Sequence, residues 1–172
     1  MKINHLFWIL IFSFAAVSCT TKSSQIEGKY KTEGLNWLSM NQIEAVVKSD
    51  PKPIIVDVYT SWCGPCKMLD RNTFSDPKIQ QIFKENFHIV KFNAEGNDEY
   101  TFQGKKYANP GFKPNKRGRN AKNELASFFG VRGYPTLAIY DAQFKPIGKL
   151  VGYRDAVELE GDLQQYIKKQ EN

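Results

Sequence analysis

The stretch Ile54-Ile-Val-Asp-Val-Tyr-Thr-Ser-Trp-Cys-Gly-Pro-Cys-Lys67 joins a β-branched apolar run to a helix start, with two cysteines three positions apart just past the junction. Ile54 to Tyr59 is short and follows the turn signal Asp50-Pro51-Lys52-Pro53, which predicts a strand buried on both faces. The residues after it predict a helix opening at the cysteines.

Cysteines at i and i+3 of a helix start set both sulfurs on one face of the first turn, close enough to open and close a disulfide. Unpaired backbone N–H groups and the helix dipole at that point favour the thiolate of the first cysteine. Cys63 is thus the expected nucleophile and Cys66 the resolving thiol, with Pro65 tolerated because an N–H is dispensable in the first turn. The pair also reads as half of a zinc site, but that needs two further ligands and the sequence offers only His5 and His88 as histidines. A copper(I) site from both thiolates and His88 is allowed by count. No cofactor and no resident metal is expected. Asp57 lies six residues before Cys63 in an otherwise apolar strand. Buried without a partner, its carboxyl should titrate high, stand neutral near pH 7, and be able to move a proton to or from Cys66.

Upstream, Ser39 to Gln42 has capping-box spacing, and Ile43, Val46 and Val47 follow at helical intervals, so a helix is expected from about 37 to 48. Downstream, Asp76 and Pro77 mark a helix start with Ile79, Ile82 and Phe83 on one face, and Phe87 to Phe92 reads as a second strand. Residues 94–120 show no long pattern, apart from a small hairpin about Gln103-Gly104 between Tyr100 and Tyr107. A helix near 121–129 precedes two strands, Tyr134 to Tyr140 and Pro146 to Val151, whose short connection makes them antiparallel. Asp155 and Glu158 form a capping box for a last helix that buries Leu159, Leu163, Tyr166 and Ile167.

The amino terminus carries a separate message. Lys2, the apolar run Leu6 to Val17 and the end Ala16-Val17-Ser18-Cys19 read as a secretory signal over residues 1–18, too short to span a bilayer of about 20 helical residues. The final four residues resemble a bacterial lipobox, which makes Cys19 the expected lipidation site. An ordinary cleaved signal peptide is the plainer alternative. Cleavage removes one lysine and no acid, taking the net charge from +6 to +5. Residues 19–34 read as a tether with a reach of roughly 20 Å, leaving 35–172 as the domain. These features place the domain in the cell envelope, facing the periplasm, where a reducing enzyme needs an upstream membrane electron donor.

The quoted segment resembles the thioredoxin active-site segment almost position for position, and Gly130-Val-Arg-Gly-Tyr-Pro-Thr-Leu137 resembles the thioredoxin loop that holds a cis-proline. The similarity runs from about 37 to 170 and is interrupted by 94–120. It implies an α/β domain of thioredoxin fold, a central mixed sheet flanked by helices, with an inserted loop or hairpin near 94–120. It further implies a cis peptide before Pro135 beside the cysteines and the Tyr134 backbone pairing with a substrate strand. Trp62, Gly64 and Pro65 would line the docking rim together with Gly152, and Lys91 would tune proton transfer at Asp57. Arg71-Asn-Thr-Phe-Ser-Asp-Pro-Lys-Ile79 is more similar to the C-terminal periplasmic domain of the membrane thiol:disulfide interchange proteins.

The insertion departs from both relatives. From Gln103 to Lys122 it holds seven basic residues, Lys105, Lys106, Lys113, Lys116, Arg117, Arg119 and Lys122, and no acid. Such a run either steers an acidic partner or anionic headgroups, or is a solvated loop. Confined to one segment, it does not imply nucleic-acid binding. The expected activity is that of a monomeric thiol:disulfide oxidoreductase acting on protein dithiols and disulfides. The alternatives are a metal- or client-binding module of the same fold, and an oxidase that donates its disulfide.

Overall fold

The computed structural model describes residues 34–168. Along the chain run β1 (Trp37–Leu38), α1 (Ile43–Ser49), β2 (Ile54–Tyr59) and α2 (Gly64–Met68), which continues as a π-helical turn over Leu69–Thr73. There follow α3 (Pro77–Asn86), β3 (His88–Asn93), the hairpin β4 (Tyr100–Phe102) and β5 (Lys105–Tyr107), then α4 (Glu124–Phe128), β6 (Thr136–Tyr140), β7 (Pro146–Val151) and α5 (Ala156–Lys168). Cys19, the signal sequence, its lipobox and nearly all of the tether lie outside the described residues. No helix among the described residues is long and apolar enough to cross a membrane.

Five strands form one mixed sheet in the order β1-β3-β2-β6-β7. The centre is β2, parallel to β3 and antiparallel to β6, which explains why Ile54 to Val58 are all buried. Alternation sorts its side chains. Ile54, Val56 and Val58 meet Val90, Phe92 and Ala138 under α1 and α4, while Ile55 faces the other way, with Leu69, Phe74, Ile89 and Leu137 under α3 and α5.

Two helix starts follow their sequence signals. Asp76 Oδ1 accepts from the N–H groups of Lys78 and Ile79 ahead of α3, and Asp155 and Glu158 bond each other's backbone N–H groups ahead of α5. The segment expected as a helix from 37 differs. Trp37–Leu38 is a strand parallel to Ile89 and Val90, and Ser39 bonds Gln42 to close a turn before the helix begins at Ile43. Edge pairing to β3 wins over helical spacing that starts only at Ile43. The helix expected near 121–129 is trimmed to Glu124–Phe128, because Asn123 caps it by accepting from the Leu125 N–H. The strand expected from Tyr134 begins two residues later, at Thr136. The small hairpin forms as expected, with Gln103 and Gly104 at φ 49° and 71°.

The helix α5 packs against β7 so closely that a Cβ at Gly148 would lie 2.1 Å from the Tyr166 hydroxyl oxygen and 2.5 Å from its ring. Gly148→Ala is therefore expected to destabilise the domain by about 1–3 kcal/mol, read as a lower urea midpoint at unchanged m-value.

Candidate active site

The chain leaves β2 at Tyr59, turns through Thr60, whose carbonyl accepts from the Cys63 N–H at 3.2 Å, and enters α2 with Cys63 as its N-cap. The Cys66 N–H, unpaired by the helix itself, donates to Cys63 Sγ at 3.1 Å. Cys63 and Cys66 form a disulfide, and the two residues are only 2% and 3% exposed. Gly64 and Pro65 are exposed at the tip of this turn.

Trp62 is half-buried next to the disulfide, edge-on to Tyr134 with ring centroids 5.9 Å apart. The Tyr134–Pro135 peptide is cis, as the resemblance implies. The Pro135 carbonyl accepts from the Gly152 N–H at 2.9 Å, so Gly152, at φ 91°, closes the same end of the sheet. One connection thus supplies the cysteines and another supplies Tyr134 and Pro135.

A charged cluster joins β2, β3 and the π-helical turn. Asp57 is 1% exposed and, in register with Lys91 on the neighbouring strand, its Oδ2 takes the Lys91 ammonium at 2.5 Å. The expectation of an acid without a partner is corrected: parallel pairing puts a lysine opposite the acid on the same sheet face. Lys91 also pairs with Asp70, which the π-helical turn carries over the sheet. Rings of Trp37, Tyr59 and Phe74 surround its ammonium at 4.8–5.2 Å. Burial pushes the Asp57 carboxyl up, with Asp70 adding to it and Lys91 only partly offsetting it. Burial alone would lower Lys91, but Asp57 and Asp70 outweigh it and hold the ammonium protonated. Burial thus keeps a proton on Asp57 to higher pH than an exposed carboxyl would, while both acids hold the charge on Lys91. Asp57 Oδ1 is buried without a hydrogen-bond partner among the described residues, so it is the oxygen with room for that proton.

His88 stands at the opening of β3, paired with Ile54 at the far end of β2 from the cysteines, and bonds the Asp50 carbonyl at 2.7 Å. A strand of this length separates it from the sulfurs by roughly 15 Å or more, so the three are not brought together as a copper site.

Sequence reading missed three residues here. Asp70 gave no signal because its approach to Lys91 depends on the π turn. Glu95 is buried, and its Oε2 accepts from Trp62 Nε1–H at 2.8 Å and from the Asn120 N–H at 2.6 Å. Arg119, noted before only as one charge in a basic run, lies over the Trp62 ring with its guanidinium carbon 4.6 Å from the centroid. The only signal for the latter pair was their place in the insertion.

A family model described as a thioredoxin-like domain matches residues 40–167. The thiol:disulfide interchange protein DsbD of Photorhabdus laumondii subsp. laumondii is 27% identical over 135 residues, covering 77% of this chain and 19% of that protein. DsbD of Pectobacterium atrosepticum is 28% identical over 141 residues, covering 78% and 20%. The chain thus spans about a fifth of the length of these curated relatives. Among solved structures, a thioredoxin from Thermus thermophilus superposes with TM-score 0.57 at 18% identity, covering 77% of this chain and 87% of that one. The DsbH oxidoreductase gives 0.55 at 20% identity, covering 78% and 85%. These two establish the thioredoxin fold.

Because Asp57 is protonated in the fold at pH values where it would be ionised in the unfolded chain, it lowers wild-type stability as pH rises above about 4. Asp57→Asn removes that fall. Urea unfolding of the oxidised proteins at stepped pH should show the variant gaining on wild type as pH rises, by at most about 1.4 kcal/mol per pH unit, until Asp57 ionises in the fold.

Proposed function

The chain belongs to the thioredoxin-like domain family, and we propose that it reduces or exchanges disulfides of envelope proteins through the Cys63–Cys66 dithiol. The observation that carries this reading is the buried disulfide at the first turn of α2, with the Cys66 N–H aimed at Cys63 Sγ. In the reduced form that N–H would stabilise a Cys63 thiolate. The thiolate attacks one sulfur of a partner disulfide, a mixed disulfide forms, and the partner's other sulfur leaves as a thiolate. Cys66 then gives up its proton and attacks Cys63 Sγ, closing the internal disulfide and releasing the second partner thiolate. One S–S bond breaks and one forms, and two electrons pass to the partner.

Asp57 Oδ1 gives its proton to Cys66 when the internal disulfide is opened by the donor and, left as a carboxylate, takes it back when Cys66 attacks, with Lys91, shared with Asp70, tuning its affinity for that proton. A shielded disulfide reacts best with a partner seated on it. Trp62, Gly64, Pro65, Tyr134, Pro135 and Gly152 form the seat, with the Tyr134 backbone pairing to an extended partner strand. Turnover requires an upstream membrane donor of two electrons, since the envelope oxidises thiols. The N-terminal apolar run and Cys19 support secretion and lipid anchoring on the membrane.

Insulin reduction driven by dithiothreitol should be rapid with the unaltered protein and fall to the uncatalysed rate in Cys63→Ser, whereas Cys66→Ser should accumulate a mixed disulfide visible on non-reducing gels. Activity surviving Cys63→Ser would end the redox reading. Equilibration with glutathione then sets direction, a potential near about −270 mV marking a reductant and one near about −120 mV an oxidant. Cys19→Ser, expressed with its signal, should move the protein from the membrane to the soluble envelope fraction and abolish incorporation of labelled palmitate.

A further inference from the structure

The seven basic residues between Gln103 and Lys122 carry more than the chain's whole net charge of +6. All seven are exposed, and none forms an ion pair among the described residues. The loop that presents four of them is closed at its base. The Asn120 side chain bonds both backbone groups of Lys113, accepting from its N–H at 3.0 Å and donating to its carbonyl at 2.9 Å. Asn109 Nδ2 donates to the carbonyls of Gly96 and Ala121 at 2.9 and 2.8 Å, stitching both ends of the insertion together. A loop serving only as a solvated connection needs no such side-chain closure.

The closed loop is also fastened to the redox site. One oxygen of buried Glu95 takes both the Asn120 N–H and the Trp62 indole N–H, and the next residue back, Arg119, stacks its guanidinium on the Trp62 ring. Glu95 has both bonds on Oε2, and Arg119 is exposed on its outer side, so an unpaired cation is held beside the residue that precedes Cys63.

We propose that loop 113–119 is a recognition rim for protein substrates with acidic residues flanking their reactive disulfide, Arg119 pairing with a carboxylate near the sulfur that Cys63 attacks. The inference rests on the redox reading above. A carboxylate there raises the encounter rate and fixes the register of attack, and its contribution fades with salt. A lipid surface suits the rim less well, because a charge leaning on Trp62 would draw headgroups across the disulfide and bar a protein substrate. The step itself is simple exchange: the reduced protein closes its disulfide, the peptide disulfide opens, and two electrons with two protons pass to the peptide.

The test uses the full-length protein, reduced beforehand and freed of reductant, against three peptides that each contain one disulfide flanked by Glu, Gln or Lys. Acid quenching and chromatography give each rate. The expected order is Glu over Gln over Lys, with the Glu peptide about tenfold ahead of Gln at low ionic strength and the gap closing in about 0.5 M salt. Arg119→Gln should bring the Glu-to-Gln ratio below about threefold, and Lys116→Gln with Arg117→Gln, at positions that leave Trp62 untouched, should lower it in the same direction. Equal rates for the Glu and Gln peptides in the unaltered protein, or a ratio that neither variant moves, would overturn the proposal. Salt-sensitive binding to phosphatidylserine vesicles together with equal Glu and Gln rates would overturn it in favour of lipid. Failure to reduce any of the three peptides is a different result: it removes the redox reading and this inference with it.

Discussion

The Cys66 amide aimed at the Cys63 sulfur is the contact on which the molecule's chemistry depends, and it exists because a central strand ends where a helix begins. A helix start leaves its first N–H groups without intrahelical acceptors, so whatever side chain caps it receives them. Here the cap is a cysteine, and an N–H that elsewhere would bond a serine or aspartate oxygen points at sulfur instead. The strand matters as much as the helix. Since β2 has sheet neighbours on both sides and packing on both faces, its end cannot drift, and the two sulfurs inherit that fixity.

Burial also makes ionised groups expensive where β2, β3 and the π-helical turn meet, which is why their arrangement is constrained. Asp57, Lys91 and Asp70 hold two acids against one base. Full ionisation would leave a net negative charge in a largely buried cluster, which disfavours ionisation of the more deeply buried acid. Asp57, the more deeply buried, is the one whose carboxyl is pushed up, and its unbonded oxygen gives that proton a place. Aromatic rings around Lys91 take the place of the water that an ammonium loses on burial.

What could be read in the sequence divides along the distance between the residues concerned. The starts of α3 and α5 were legible because Asp76 with Pro77, and Asp155 with Glu158, are local signals that act within one turn. The cysteine pair and the buried strand before it were legible for the same reason. Trp37–Leu38 was not, since two residues have no periodicity and become a strand only by pairing with Ile89 and Val90. The partnership of Asp57 with Lys91 was implied by resemblance alone, since from the residues it needs the register between strands 34 positions apart. Asp70 needed a π turn that composition does not announce, and Glu95 needed the fold to bring Trp62 and Asn120 to one oxygen.

Topology explains why an insertion could acquire a bearing on the redox site at all. Because β2 and β3 are parallel neighbours with Tyr59 opposite Asn93, the chain leaves both strands at the same end of the sheet. One exit leads to Trp62 and Cys63; the other leads to Glu95 and the inserted segment, and the Ala94 N–H bonds the Tyr59 carbonyl where the two diverge. Crevices beyond the carboxyl ends of parallel strands are where α/β sheets place their sites. Any residues added after β3 therefore emerge beside the cysteines, and a single buried carboxylate at the second added position is enough to fasten them to Trp62. By this geometry the basic loop is held against Trp62, the residue before Cys63.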